Sequence, residues 1–145
     1  MPNRHHTPMH VPLPPKGFRS SEQMKLDDAL RDGMSVDGAI GIALVDMRSG
    51  MLLAKQGGHS LFDLEMAGAL NSEVLRAKLR AIEALQLDDE VQDILVTLGA
   101  QYHIIMPLVR GVDEKLFLYL ALDKERGNLA LARHQLRRVE QAISL

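Results

Sequence analysis

The chain has no cysteine and no tryptophan, and aromatic residues make up only 3% of its 145 residues. The absence of cysteine excludes disulfides, thiol nucleophiles and zinc–thiolate centres. With so few rings, the core has to be built from Leu, Ile, Val, Ala and Met. Charge of one sign is also missing: 17 basic against 19 acidic residues leave a formal net charge of −2. That balance gives no argument for a nucleic-acid partner. No apolar run approaches the roughly eighteen residues a membrane span needs. No GxxxxGK[ST] phosphate loop occurs, so the chain is not a nucleotide-hydrolysing switch of that type.

Five of the six prolines fall within the first fifteen residues, beside His5, His6 and His10 and no acid. Prolines interrupt every apolar position there, so no secretory core forms, and the expected location is the cytoplasm. Residues 1–18 read as a flexible Pro/His-rich tail without a core of its own, followed by one domain over 19–145. The three histidines have no carboxylate or thiolate companion, and a weakly basic tail is a better reading than a metal site. Hydrophobic and charged contents of 46% and 25% are those of a globular domain.

Ser20-Ser21-Glu22-Gln23 predicts a helix start, with Ser20 as cap and Gln23 reaching back to it. Met24, Leu26, Leu30 and Met34 form its apolar stripe, and Gly33 its stop. Residues 39–46 (AIGIALVD) are apolar on both faces, as in a strand covered on two sides. Met47-Arg48-Ser49-Gly50 closes a tight turn in which Gly50 takes positive φ, and 51–55 return as the second strand.

Residues 61–87 predict a long helix, with Ser60 as its expected cap. Glu73, Arg76, Arg80 and Glu83 mark its solvated side. The rest carries two apolar stripes where one suffices to pack on a sheet. The excess points to a second copy, with small residues at Ala67, Ala77 and Ala81 permitting close approach. Residues 91–98 predict the third strand, and 99–101 a turn. The acidic cluster Asp88-Asp89-Glu90 lacks the spacing of a calcium loop and reads as a solvated turn.

The most informative stretch is 102–136, YHIIMPLVRGVDEKLFLYLALDKERGNLALARHQL. It reads as a strand over 102–109, a loop over 110–114, a strand over 115–122, and a helix capped by Asn128. Leu129, Ala132, Leu136, Val139 and Ile143 recur at helical spacing. Pro107 cannot donate to a ladder, so bonding there is expected to be broken or bulged. The fifth strand, apolar on both faces, should lie centrally. The fold class is therefore α+β, a five-stranded mainly antiparallel sheet with helices on both faces, in the order α-β-β-α-β-β-β-α.

Three segments here, Tyr102-His103-Ile104-Ile105-Met106-Pro107-Leu108, residues 116–123, and residues 128–133, resemble in order the C-terminal half of the roadblock (dynein light chain 7) family, bacterial branch. Met106 stands where that pattern often has a basic residue. The hairpin DGAIGIALVDMRSGMLLAK resembles the family's opening strands. The resemblance implies one helix on one face of the sheet and two on the other. It implies a homodimer through the second helix and third strand, with the sheet continuous across both subunits. It also implies a non-catalytic regulator of a Ras-like small GTPase, an activator or docking platform in polarity, motility or signalling, with no arginine finger assigned.

The expected seam is Leu70, Val74, Ala77 and Ala81 on the helix with Ile94 and Val96 on the third strand. Arg133, Arg137 and Arg138 form a candidate partner surface, with a basic face turned to water the simpler reading. No constellation of catalytic, cofactor-binding or metal-ligating residues stands out. Gln56-Gly57-Gly58-His59-Ser60 is a strand-to-helix connection, since adjacency of Ser and His in sequence does not make a catalytic pair. Two alternatives are a small-molecule sensor using Gln101, His103 and Tyr119 around a cavity, and a scaffold with no GTPase partner.

Overall fold

The computed structural model describes residues 20–108 and 115–143. The tail over 1–18, Val109, and the loop over 110–114 lie outside the described residues. The elements are α1 (Ser21–Gly33), β1 (Ala39–Asp46), β2 (Leu52–Gly57), α2 (Leu64–Ala84), β3 (Ile94–Thr97), β4 (Gln101–Pro107), β5 (Leu116–Asp123) and α3 (Leu129–Ala142). They form one antiparallel sheet in the order β2-β1-β5-β4-β3. This is the α+β architecture and element order expected from the sequence.

β5 lies at the centre because both its faces are apolar. Leu118, Leu120 and Leu122 enter the core under α1 and α3 with Ile42, Leu44, Leu30 and Leu136. Phe117, Tyr119 and Ala121 enter the opposite core under α2 with Ala43, Val45, Leu64 and Leu75. Alternation along the strand distributes them. Each fully buried Leu or Phe contributes roughly 1.5–3 kcal/mol relative to exposure.

The hairpin turn follows the expectation: Gly50 has φ +76°. Its second constraint comes from α2, because a Cβ at Gly50 would stand 3.1 Å from Ala69 Cα. Gly33 is the last residue of α1, as expected, though not through a left-handed turn. It ends α1 without positive φ and is buried, and a Cβ there would press within 2.5 Å of Ile42 Cδ1. Its role is close approach of helix to sheet.

Two caps differ from their sequence reading. Ser20 Oγ accepts from Gln23 N at 3.1 Å, but the Gln23 side chain donates forward to Asp27 Oδ1 at 3.2 Å. In α2 the cap is Asp63, whose Oδ1 accepts from Met66 N at 3.1 Å, and not Ser60. A bridge between His59 and Phe62 holds the preceding residues in a tight loop, so the helix starts three residues later. Asn128 caps α3 as expected, accepting from Leu131 N at 3.0 Å.

Pro107 explains why β3 is shorter than expected. Leu108 N donates to Leu116 O, and the β4–β5 register runs without a bulge. Antiparallel alternation therefore turns the Pro107 nitrogen toward β3, not β5. Extending the register Ile94↔Ile105 by two residues would place Gln92 opposite Pro107. A proline has no N–H to give there, so the β3 ladder begins only at Ile94. At its other end, Gln101 belongs to β4 and not to the turn.

Candidate functional site

α2 has one apolar stripe on its sheet and a second on the outside. Leu64, Gly68, Ser72 and Leu75 are buried beneath the helix. The approach is close at Gly68, where a Cβ would lie 2.6 Å from Leu52 Cδ1. Met66, Leu70, Val74, Ala77 and Ala81 follow the spacing of one face and point away from that stripe. Leu70 is 55% exposed and Val74 42%. Ala77 is exposed and Ala81 half-buried. Met66, 58% exposed, extends the stripe beyond the expected seam residues.

The other expected seam residues are on β3, an edge of the sheet. Leu98 N donates to Gln101 O, so Val96 and Ile94 are the residues bonded to β4 by alternation. Leu95 and Thr97 consequently turn their N–H and C=O groups outward, where no strand meets them among the described residues. The sequence Ile94-Leu95-Val96-Thr97 contains no charge, glycine, proline or bulge to blunt that edge. The opposite edge, β2, carries Lys55, Gly57 and an irregularity of register beside Leu44/Val45. By the devices that normally prevent strand addition, β2 is guarded and β3 is bare. A depression of about 490 Å³, whose lining includes Lys78, Ile82, Leu87 and Ile94, joins the end of α2 to β3. The C-terminal end of α2 and the β3 edge thus border one surface.

Arg133 is not a free member of the basic group on α3. Its Nε donates to Asp93 Oδ2 at 3.1 Å and its Nη2 to Asp93 Oδ1 at 3.0 Å. Arg137, Arg138 and His134 are exposed. No sequence signal announces this pair, because its partners are 40 residues apart and only the topology brings them together. Arg76, expected on the solvated side, is half-buried and donates to Met47 O, tying α2 to the end of β1.

The sensor candidates also converge. His103 Nε2 lies 2.8 Å from Gln101 Oε1, and since an amide oxygen only accepts, Nε2 donates. The His103 ring packs edge-on against Tyr119 at 5.5 Å and Phe62 at 5.8 Å, and Phe62 continues to His59 at 6.5 Å. These rings pack on one another. Burial holds the His103 imidazole below its ordinary pKa and pushes the Tyr119 hydroxyl up. The Tyr119 hydroxyl has no hydrogen-bond partner among the described residues.

At the β2–α2 connection a depression of about 400 Å³ is lined by residues including Lys55, His59, Asp63 and Glu65. Its charges are mutually engaged: Lys55 Nζ bonds Glu65 Oε1, holding that carboxyl below its usual range. His59 Nδ1 accepts from Leu61 N, which commits that nitrogen to the loop. Among the described residues no group of three His, Asp or Glu is placed to hold a metal ion. No helix among them is long and apolar enough to cross a membrane.

No model of a known sequence family matches the chain, and no curated protein matches it in sequence. Solved structures do match in three dimensions. The gliding protein MglB from Thermus thermophilus superposes with a TM-score of 0.71 at 15% identity, over 87% of this chain and 90% of that one. A roadblock/LC7 domain from Streptomyces avermitilis gives 0.69 at 14% identity, over 81% and 92%. Myxococcus xanthus MglB gives 0.69 at 15% identity, over 87% and 90%.

The chain has the roadblock fold. At these identities the likeness is one of backbone course, built on different side chains. The roadblock arrangement of one helix on one face and two on the other is the one seen here, with α2 opposite α1 and α3.

Proposed function

We propose that the chain is a homodimeric, non-catalytic regulator or adaptor that binds a Ras-like small GTPase in the cytoplasm. The observation that carries the self-association is the pairing, on one chain, of an exposed apolar stripe on α2 with a bare edge at β3. Such a surface is costly to leave in water, and strand addition at β3 satisfies the outward N–H and C=O groups of Leu95 and Thr97. Leu70, Val74, Ala77, Ala81, Ile94 and Val96, extended by Met66, form the seam. A two-fold seam joining β3 to its mate makes one sheet across both copies.

The GTPase partner rests on the resemblance of residues 102–136 to the bacterial roadblock branch and on the shared fold. The gliding protein among the matching structures favours motility or polarity as the setting. Arg137 and Arg138 are the basic residues of α3 offered to an acidic partner surface. Purified chain sediments at micromolar concentration near twice its 16.1 kDa mass on this reading. On the same reading it binds a Ras-like small GTPase with different affinity in the GDP and GTP states. A monomer throughout refutes the seam, and equal or absent binding in both nucleotide states refutes the regulator.

A further inference from the structure

Asp93 presents its backbone at the sheet edge while its side chain is held from the far side of the sheet. It stands immediately before Ile94, the first residue of the β3 edge whose Leu95 and Thr97 turn their N–H and C=O groups outward. Its carboxylate receives both bonds of the Arg133 fork, with side-chain exposures of 13% for Asp93 and 31% for Arg133. Arg133 belongs to α3, which packs on the face opposite α2. Between the end of α2 and β3 the chain is held mainly by bonds to itself. Gln86 takes φ +56°, Asp88, Asp89 and Glu90 are exposed, and Glu90 N bonds the neighbouring Asp89 Oδ1. β4 cannot extend its ladder to Gln92, because Pro107 stands opposite.

We infer that Arg133 is a positioning residue for self-association, its fork to Asp93 setting the pose of the β3 edge that a second copy must meet. This deepens the dimer reading above and rests on it. A planar guanidinium that bonds both carboxylate oxygens fixes orientation as well as distance, which a single point charge does not. With the fork in place the edge ladder starts from a held residue. Without it, residues 88–93 are tethered through their chain neighbours, and pairing with a second copy must order them as it forms. The fork also connects the α3 surface carrying Arg137 and Arg138 to the seam through one ion pair.

The test is sedimentation equilibrium of the full chain and of Asp93→Asn, Arg133→Gln, Arg133→Lys and the reversed pair Asp93→Arg with Arg133→Asp. The dissociation constant is expected to rise tenfold or more in Asp93→Asn and Arg133→Gln. Arg133→Lys should recover little, and the reversed pair most of the loss. Circular dichroism of each variant, taken at concentrations where it is monomeric, should be that of the wild type. A dimeric wild type with unchanged constants in both single variants overturns the inference and leaves the dimer standing. Loss of folding in the near-isosteric Asp93→Asn also overturns it, by making the pair a requirement of the monomer. A wild type that is monomeric throughout removes the dimer itself, and the inference with it.

Discussion

Val74 and Leu75 are neighbours in sequence and opposites in the fold: Leu75 is 1% exposed beneath α2, while Val74 is 42% exposed on its outer side. The two apolar stripes visible in the sequence are therefore real, and only one of them is used by the chain's own sheet. The view that both stripes serve the internal core is excluded by the exposure of Leu70, Val74 and Ala77.

Ala77→Glu places a charge on the outer stripe. In the single chain Ala77 is exposed, so the carboxylate stays in water and folding is expected to be unaffected. In the proposed dimer the charge is buried twice across the two-fold axis, at a cost of several kcal/mol. The expected result is a folded monomer, read by circular dichroism together with light scattering. A fully dimeric Ala77→Glu would place the seam elsewhere.

Asp63→Ala removes the carboxylate oxygen that accepts from Met66 N and should cost about 0.5–2 kcal/mol in denaturant unfolding. Ser60→Ala should cost a few tenths at most, because Ser60 is exposed and lies before the helix. Equal losses at the two positions would contradict the observed start of α2.

His103 gives a pH dependence with a definite sign. Burial lowers its folded pKa below the ordinary imidazole value of about 6.5, which the unfolded chain keeps. Below about 6.5 the unfolded state takes up a proton that the folded state resists, so stability falls on acidification. The loss begins as pH drops through that value and stops growing once the folded imidazole itself protonates. At higher pH the effect is absent. Urea midpoints of wild type and His103→Gln should diverge in pH dependence on the acid side, with the wild type the steeper. Parallel curves would show that His103 ionises equally easily in both states.

Periodicity and end signals made the elements legible in the sequence: Asn128 as a cap, Gly50 as a turn, and the two apolar faces of residues 116–122 as a central strand. These are local matters, decided by a residue and its neighbours within about four positions. The resemblance of residues 102–136 pointed to a roadblock fold even though no family model matches the sequence. The exposed outer stripe of α2 was legible as surplus hydrophobicity, a quantity that exists before any contact is made.

Tertiary structure decided everything that depends on which strand lies beside which. Pro107 looks from the sequence like damage to its own hairpin. Only the register shows that its missing N–H faces β3 and shortens that strand. Arg133 looks like one of three basic residues on an outer helix face, yet the sheet order delivers Asp93 to it across 40 residues. Arg76 reads as a solvated charge until the end of β1 arrives to accept its bond. A sequence states what each segment buries or bonds within a turn of itself. The partners of a guanidinium or a backbone amide beyond that reach exist only once the sheet has closed, because the energy of such bonds depends on distances that the chain does not set locally.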